Sequence, residues 1–172
     1  MPIMQQHEHQ RVGVFVDVQN MYHTAKHLYN SNVNFAKILE SAVGGRKLIR
    51  AFTYVVKADA PKEQTFFDAL EKAGYEIRVK DIQIFAGGMK KGDWDVGMAI
   101  DAIKTADKLD AVILVTGDGD FIPLVTYLKE NKGCRVEGMA FSRSASSKLI
   151  EAVDNFTDLG DNLDAYLMKN KK

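Results

Sequence analysis

The sequence predicts a three-layer, doubly wound α/β fold on a mainly parallel sheet, and three observations support this. Strand-like segments alternate with segments of helical periodicity along the whole chain, as in successive βα units with right-handed crossovers. The run Ala111-Val112-Ile113-Leu114-Val115 is apolar throughout and has no polar face, which suits a central strand covered on both sides. Acids stand just where strands are expected to end, and that is where open parallel sheets bind ligands.

Residues 11–17 read as a buried strand ending on Asp17, with Asn20 three residues later at the start of a helix over 21–29. His23 and His27 in that helix share a face, but no HExxH glutamate accompanies them to suggest zinc. Asn34 suits the cap of a helix over 35–42, which Gly44-Gly45 stops. Residues 47–56 form the second strand. Ala60-Pro61 opens a helix running to 72, and Gly74 ends it. Residues 75–80 alternate cleanly as the third strand, 82–85 suggest a short extra strand, and 86–88 a flexible break.

The next helix runs to about 106. Asp93 is read as its cap and Asp95 lies in its first turn, near the positive end of the helix dipole. Val96, Ala99, Ile100 and Ile103 follow helical spacing and are expected to face the sheet. Asp101 lies about 240° around from Asp95, so the two do not share a face. After the fourth strand, 111–115, Pro123 suits the first turn of a helix over 122–131. Residues 135–140 form a fifth strand, 141–148 a hydroxyl-rich loop, and 148–153 a short helix. A sixth strand over 156–159 and a closing helix over 160–167 complete the chain.

A chain of 172 residues that is 46% hydrophobic can bury a real core. One domain is expected over 11–168, between a flexible arm at 1–10 and a flexible tail at 169–172. Lys plus Arg and Asp plus Glu both number 23, so any polyanion must be held by local cations, not by a global field. The single cysteine, Cys134, excludes an intrachain disulfide and fits a reducing cytoplasm. No apolar run approaches the roughly 18 residues that span a bilayer, and the N-terminus has no signal-peptide core. A cytoplasmic protein without membrane contact is expected.

Asp118 and Asp120 follow the central strand and are separated by one glycine; Gly117 and Gly119 would allow unusual dihedrals and a close ligand approach. If the first and fourth strands are neighbours, Asp17, Asp95, Asp118 and Asp120 converge on one crevice. Four such charges repel one another unless a cation lies among them, and Mg²⁺ or Mn²⁺ favours oxygen ligands. A metal-activated water is a nucleophile for phosphodiesters. The competing reading makes these acids helix caps and solvated turns.

Three motifs occur in order: Val14-Phe15-Val16-Asp17-Val18-Gln19-Asn20, then Lys91-Gly92-Asp93-Trp94-Asp95-Val96 with Asp101 following, then Thr116-Gly117-Asp118-Gly119-Asp120-Phe121. In these the chain resembles the NYN domains of the PIN-like nuclease superfamily, most closely the bacterial LabA-like branch, over about residues 11–160. The resemblance implies a metal-dependent RNase fold, with Asp17, Asp95, Asp118 and Asp120 as the acidic metal cluster and Asn20 as a catalytic positioner. Asp101 falls at a further acidic position of the pattern. The family has an apolar residue where Asp93 stands, which keeps Asp93 as a cap.

Hydrolysis of single-stranded RNA is the expected activity, with Thr116, Lys90, Lys91, Arg143 and Lys148 contacting the substrate. A non-catalytic RNA-binding or regulatory protein-interaction module on the same fold is the alternative, and a homo-oligomer stays open. A phosphoacceptor receiver domain is disfavoured. It needs a lysine after the fifth strand, where Phe141-Ser142-Arg143 stands.

Overall fold

Val12, Val14 and Val16 of strand β1 (Arg11–Asp17) pack into one core layer and Phe15 into the other, all fully buried. Strand β7 (Ala111–Val115) divides in the same way, with Ala111, Ile113 and Val115 on one side and Val112 and Leu114 on the other. Two-sided burial is why these strands read as unbroken apolar runs. The structure is a computed structural model and describes residues 8–81, 83–84, 90–91 and 94–168.

Six strands form one sheet in the order β4-β3-β1-β7-β8-β9, where β3 is Lys47–Lys57, β4 Glu76–Asp81, β8 Arg135–Ala140 and β9 Asn155–Asp158, and the short strands β2 (Asn32–Val33), β5 (Gln83–Ile84), β6 (Lys90–Lys91) and β10 (Leu167–Met168) lie outside it. Every neighbouring pair is parallel. Helices α1 (Val18–Tyr29), α2 (Phe35–Val43) and α3 (Glu63–Ala73) feed the layer that holds the β1 valines. Helices α4 (Asp95–Ala106), α5 (Ile122–Asn131) and α6 (Ser147–Ala152) feed the layer that holds Phe15. The chain leaves β1 toward β3 and returns on its other side at β7, so the order reverses between β1 and β7, as the sequence reading required.

Several expectations need correction. Of the Val96, Ala99, Ile100, Ile103 face only half turns to the core: Ala99 and Ile103 pack partly buried against it, whereas Val96 is 72% and Ile100 50% exposed, and the fully buried row is Met98, Ala102 and Ala106. Trp94, which packs partly buried against the same core layer, lies four residues before Met98, and that row continues through Ala102 and Ala106. The two alanines let the helix sit close to the strands, and the row that begins at Trp94 sets its rotation.

Helix α1 starts at Val18, not 21, because Asp17 caps it at once. Helix α3 starts at Glu63, since Lys62 before it is left-handed at φ 69°. The last strand ends one residue early, at Asp158, whose side chain caps a 3₁₀ turn over Leu159–Asn162. The expected closing helix shrinks to α7 (Leu163–Tyr166), and Leu167–Met168 pairs antiparallel with Asn32–Val33 instead. Gln10, expected in the flexible arm, is buried, and its side-chain carbonyl accepts from Arg46. Lys90–Lys91 pairs antiparallel with Gln83–Ile84 in a short two-stranded ribbon, an element the sequence reading did not foresee. Asp93 and the break at 86–88 lie outside the described residues.

Candidate metal centre

Asp17 is the last residue of β1, and one of its oxygens caps α1 by accepting the Asn20 N–H at 3.1 Å. Its other oxygen accepts the Thr116 hydroxyl at 3.2 Å, directly beyond the end of β7. Thr116 is buried to 1% exposure, and its Oγ1 also accepts the Asp118 N–H at 3.2 Å. Asn20 reaches across as well, with Oδ1 accepting the Gly117 N–H at 2.9 Å. The first turn of α1 and the loop after β7 are thus laced together by two hydrogen bonds, each backed by a local one.

That loop turns immediately after Gly117. Asp118 Oδ1 accepts the Asp120 N–H at 2.9 Å and caps a 3₁₀ turn, Gly119–Phe121, that leads into α5. Capping and a site role, which the sequence set against each other, are compatible here because the cap engages Oδ1 and a carboxylate has two oxygens. Gly117 and Gly119 do not use the left-handed region: the glycines at positive φ among the described residues are Gly44, Gly45, Gly74 and Gly133. Their small size serves packing inside the chain. A Cβ on Gly117 would lie 3.1 Å from Ala145 Cα, and one on Gly119 2.9 Å from Ser146 Oγ.

Helix α4 brings the third element. Asp95, Asp118 and Asp120 each offer a carboxylate oxygen within 4.8 Å of the others, and this is the one such group of possible metal ligands among the described residues. Asp95 and Asp118 are half-buried and Asp120 is exposed. The donor set is all oxygen and all anionic, which fits a hard divalent cation such as Mg²⁺ or Mn²⁺. Asp17 stands outside the trio and is linked to it through Thr116.

Asp101 is turned elsewhere. Its Oδ2 accepts the Tyr54 hydroxyl at 2.8 Å and Arg78 Nε at 3.2 Å. Burial, and then the bond to Asp101, push the Tyr54 hydroxyl far above its ordinary pKa, so it remains a donor. Arg143 is exposed with its guanidinium 5.9 Å from the Tyr29 ring centre, and Lys148 is exposed in the first turn of α6. The side chains of Lys90 and Lys91 are outside the described set.

Sequence reasoning assigned no role to Trp94. Its indole N–H donates to the Val55 carbonyl at 2.9 Å, near the end of β3, and its ring packs tilted on Tyr54 at 5.6 Å. It is the only tryptophan of the chain and sits next to Asp95, which is the signal that could have singled it out.

The profile of the NYN domain matches residues 11–161. The chain is 25% identical over 166 residues to the low amplitude and bright protein LabA of Synechococcus elongatus, covering 88% of this chain and 84% of that protein. It is 34% identical to VPA0982 of Vibrio parahaemolyticus, whose crystal structure is described as that of a protein of unknown function. That match has a TM-score of 0.86 and covers 96% of this chain and all of the other. Among the described residues, no helix is long and apolar enough to cross a membrane.

Proposed function

The chain belongs to the NYN domain family, and on that premise we propose that it is a metal-dependent endoribonuclease acting on single-stranded RNA. The observation that carries this reading is the approach of Asp95, Asp118 and Asp120 to within 4.8 Å of one another. Three carboxylates held that close repel one another, so the arrangement is suited to a site that takes up positive charge. Asp95, Asp118 and Asp120 would hold Mg²⁺ or Mn²⁺, while Asp17 and Asn20 keep the loop after β7 in register. When bound, such a cation offsets charge on a phosphodiester and lowers the pKa of a coordinated water. Lys90, Lys91, Arg143 and Lys148 are the residues assigned to the RNA backbone. With the acidic and basic residues balanced, replacing Lys90 and Lys91 by Ala should reduce the salt dependence of RNA binding, by roughly 0.7 in log–log slope per lost phosphate contact.

The test is cleavage of an end-labelled single-stranded RNA by wild type and by Asp118→Asn, in Mg²⁺, in Mn²⁺ and in EDTA. Turnover by the wild type only with metal, and its fall by orders of magnitude in Asp118→Asn, is the expected result. Metal-independent RNA binding without cleavage, across a panel of RNAs and both metals, would replace it with the binding-module reading.

A further inference from the structure

Trp94 occupies the capping position of helix α4, and its own side chain accepts no hydrogen bond from the first turn. The exposed N–H groups of a helix start are normally tied down by a Ser, Thr, Asp or Asn oxygen, and without one the first turn frays more readily. Yet Asp95, the first residue of this helix, must sit within reach of two acids delivered by a different element.

What holds the start is an interlock around the indole. Nε1 of Trp94 is bonded to the Val55 carbonyl. One side of the ring meets Tyr54, and Lys80 Nζ lies 5.5 Å from the ring centre. Against its own helix the ring is flush with Gly97: a Cβ there would come within 2.6 Å of Trp94 Cε3 and 2.9 Å of Cζ3. The Trp94 carbonyl accepts the Met98 N–H at 2.7 Å, so the anchored residue is also the first acceptor of the helical ladder. Glycine inside a helix is otherwise unfavourable. Its presence one turn from the start, with the indole filling the place of a side chain, is accounted for by this contact.

We propose that Trp94, seated on Gly97 and bonded to Val55, is a positioning residue that fixes Asp95 against Asp118 and Asp120. The proposal rests on the cation-binding reading for its consequence, and on helix geometry alone for its mechanism. Supporting residues of this kind typically change metal affinity by about 10–100-fold when altered.

The test compares wild type, Trp94→Phe, Gly97→Ala, Asp118→Asn and a control, Leu128→Ala, whose buried side chain lies in α5 in the same core layer. Mn²⁺ affinity is measured by calorimetry, and amide hydrogen exchange over residues 98–102, from the first N–H held by the helical ladder onward, is measured without any cation. Trp94→Phe keeps an aromatic ring but loses the donor. Gly97→Ala keeps the indole and favours the helix, but expels the ring from its seat, and it carries the test if Trp94→Phe does not fold. Both should weaken Mn²⁺ binding about tenfold or more and raise exchange selectively at 98–102. Leu128→Ala should lose stability at unchanged affinity, and Asp118→Asn should lose binding with exchange at 98–102 unchanged. Unchanged affinity and exchange in both α4 variants would overturn the proposal, and so would an equal loss of affinity in Leu128→Ala. A wild type that binds no Mn²⁺, with exchange at 98–102 still raised in both variants, would overturn the metal reading and leave the clamp standing.

Discussion

The hydroxyl of Thr116 donates to Asp17 across 3.2 Å and joins the carboxyl ends of two neighbouring strands from residues 99 apart in sequence. The same oxygen accepts from the backbone of Asp118, so one buried group governs both the side chain of one acid and the departure of the loop that carries two others. Thr116→Val keeps the shape and removes both bonds. It leaves Asp17 short of a donor and an N–H short of an acceptor, at a cost of about 1–3 kcal/mol. Denaturant unfolding should show that loss, Mn²⁺ titration should show weaker binding, and Thr116→Ser should restore much of both.

Asp101 and Asp118 should part company on substitution. Asp101 is committed to Tyr54 and Arg78, so Asp101→Asn should lower stability by about 1–3 kcal/mol and leave Mn²⁺ affinity nearly unchanged. Asp118→Asn should do the reverse, losing Mn²⁺ affinity while its stability in EDTA holds or rises as repulsion is relieved. Equal losses of affinity in the two variants would make Asp101 a ligand.

Arg46 and Glu137 form a two-pronged ion pair at 2.8 and 3.0 Å, with side chains only 1% and 6% exposed. Gln10, the Ala42 and Val43 carbonyls and Arg135 take up their remaining hydrogen-bonding capacity. Removing one partner leaves a buried charge alone, so Arg46→Ala should cost about 3–5 kcal/mol. A paired replacement, Arg46→Met with Glu137→Leu, should recover most of that in chemical denaturation. Recovery no greater than additive would argue against direct coupling.

Acid should expose the cap at Asp158. Burial alone raises this carboxyl, but the Ser142 N–H and hydroxyl and the Gly160 N–H outweigh it and hold it below the ordinary value. A folded-state pKa below the unfolded one means the stabilisation is complete above the ordinary value of about 3.9. It is lost as pH falls through the folded value. Asp158→Asn should therefore be less stable than wild type at neutral pH, and the two melting curves should converge below about pH 4. A gap that stays constant down to pH 2 would contradict this.

Much of the molecule was legible in one dimension because strand and helix periods are local. The order of elements, the two-sided burial of β1 and β7, and the acids following both strands needed only the spacing of apolar residues and the rule that ligands gather where strand order reverses. Asp17 and Asp118 could be read as caps or as site acids; the cap is what the structure shows for both, and it does not exclude a second role, since a carboxylate can serve a helix start with one oxygen and another partner with the second.

Tertiary structure decided the rest, for reasons that are not local. Helix α4 carries two rows that could face inward, and periodicity favoured the one with Val96 and Ile100. The anchored indole of Trp94 turned the Met98, Ala102, Ala106 row inward instead. Gly117 and Gly119 suggested unusual backbone, but what they accommodate is the 145–146 loop, which arrives from beyond β8. Asp101 was one more acid until β3 and β4 supplied Tyr54 and Arg78 to occupy it. Pairing of Leu167 with Val33 and of Met168 with Asn32 joins residues 134 and 136 positions apart in sequence. In each case the outcome depends on a neighbour distant in sequence, and only the packed sheet brings that neighbour within reach.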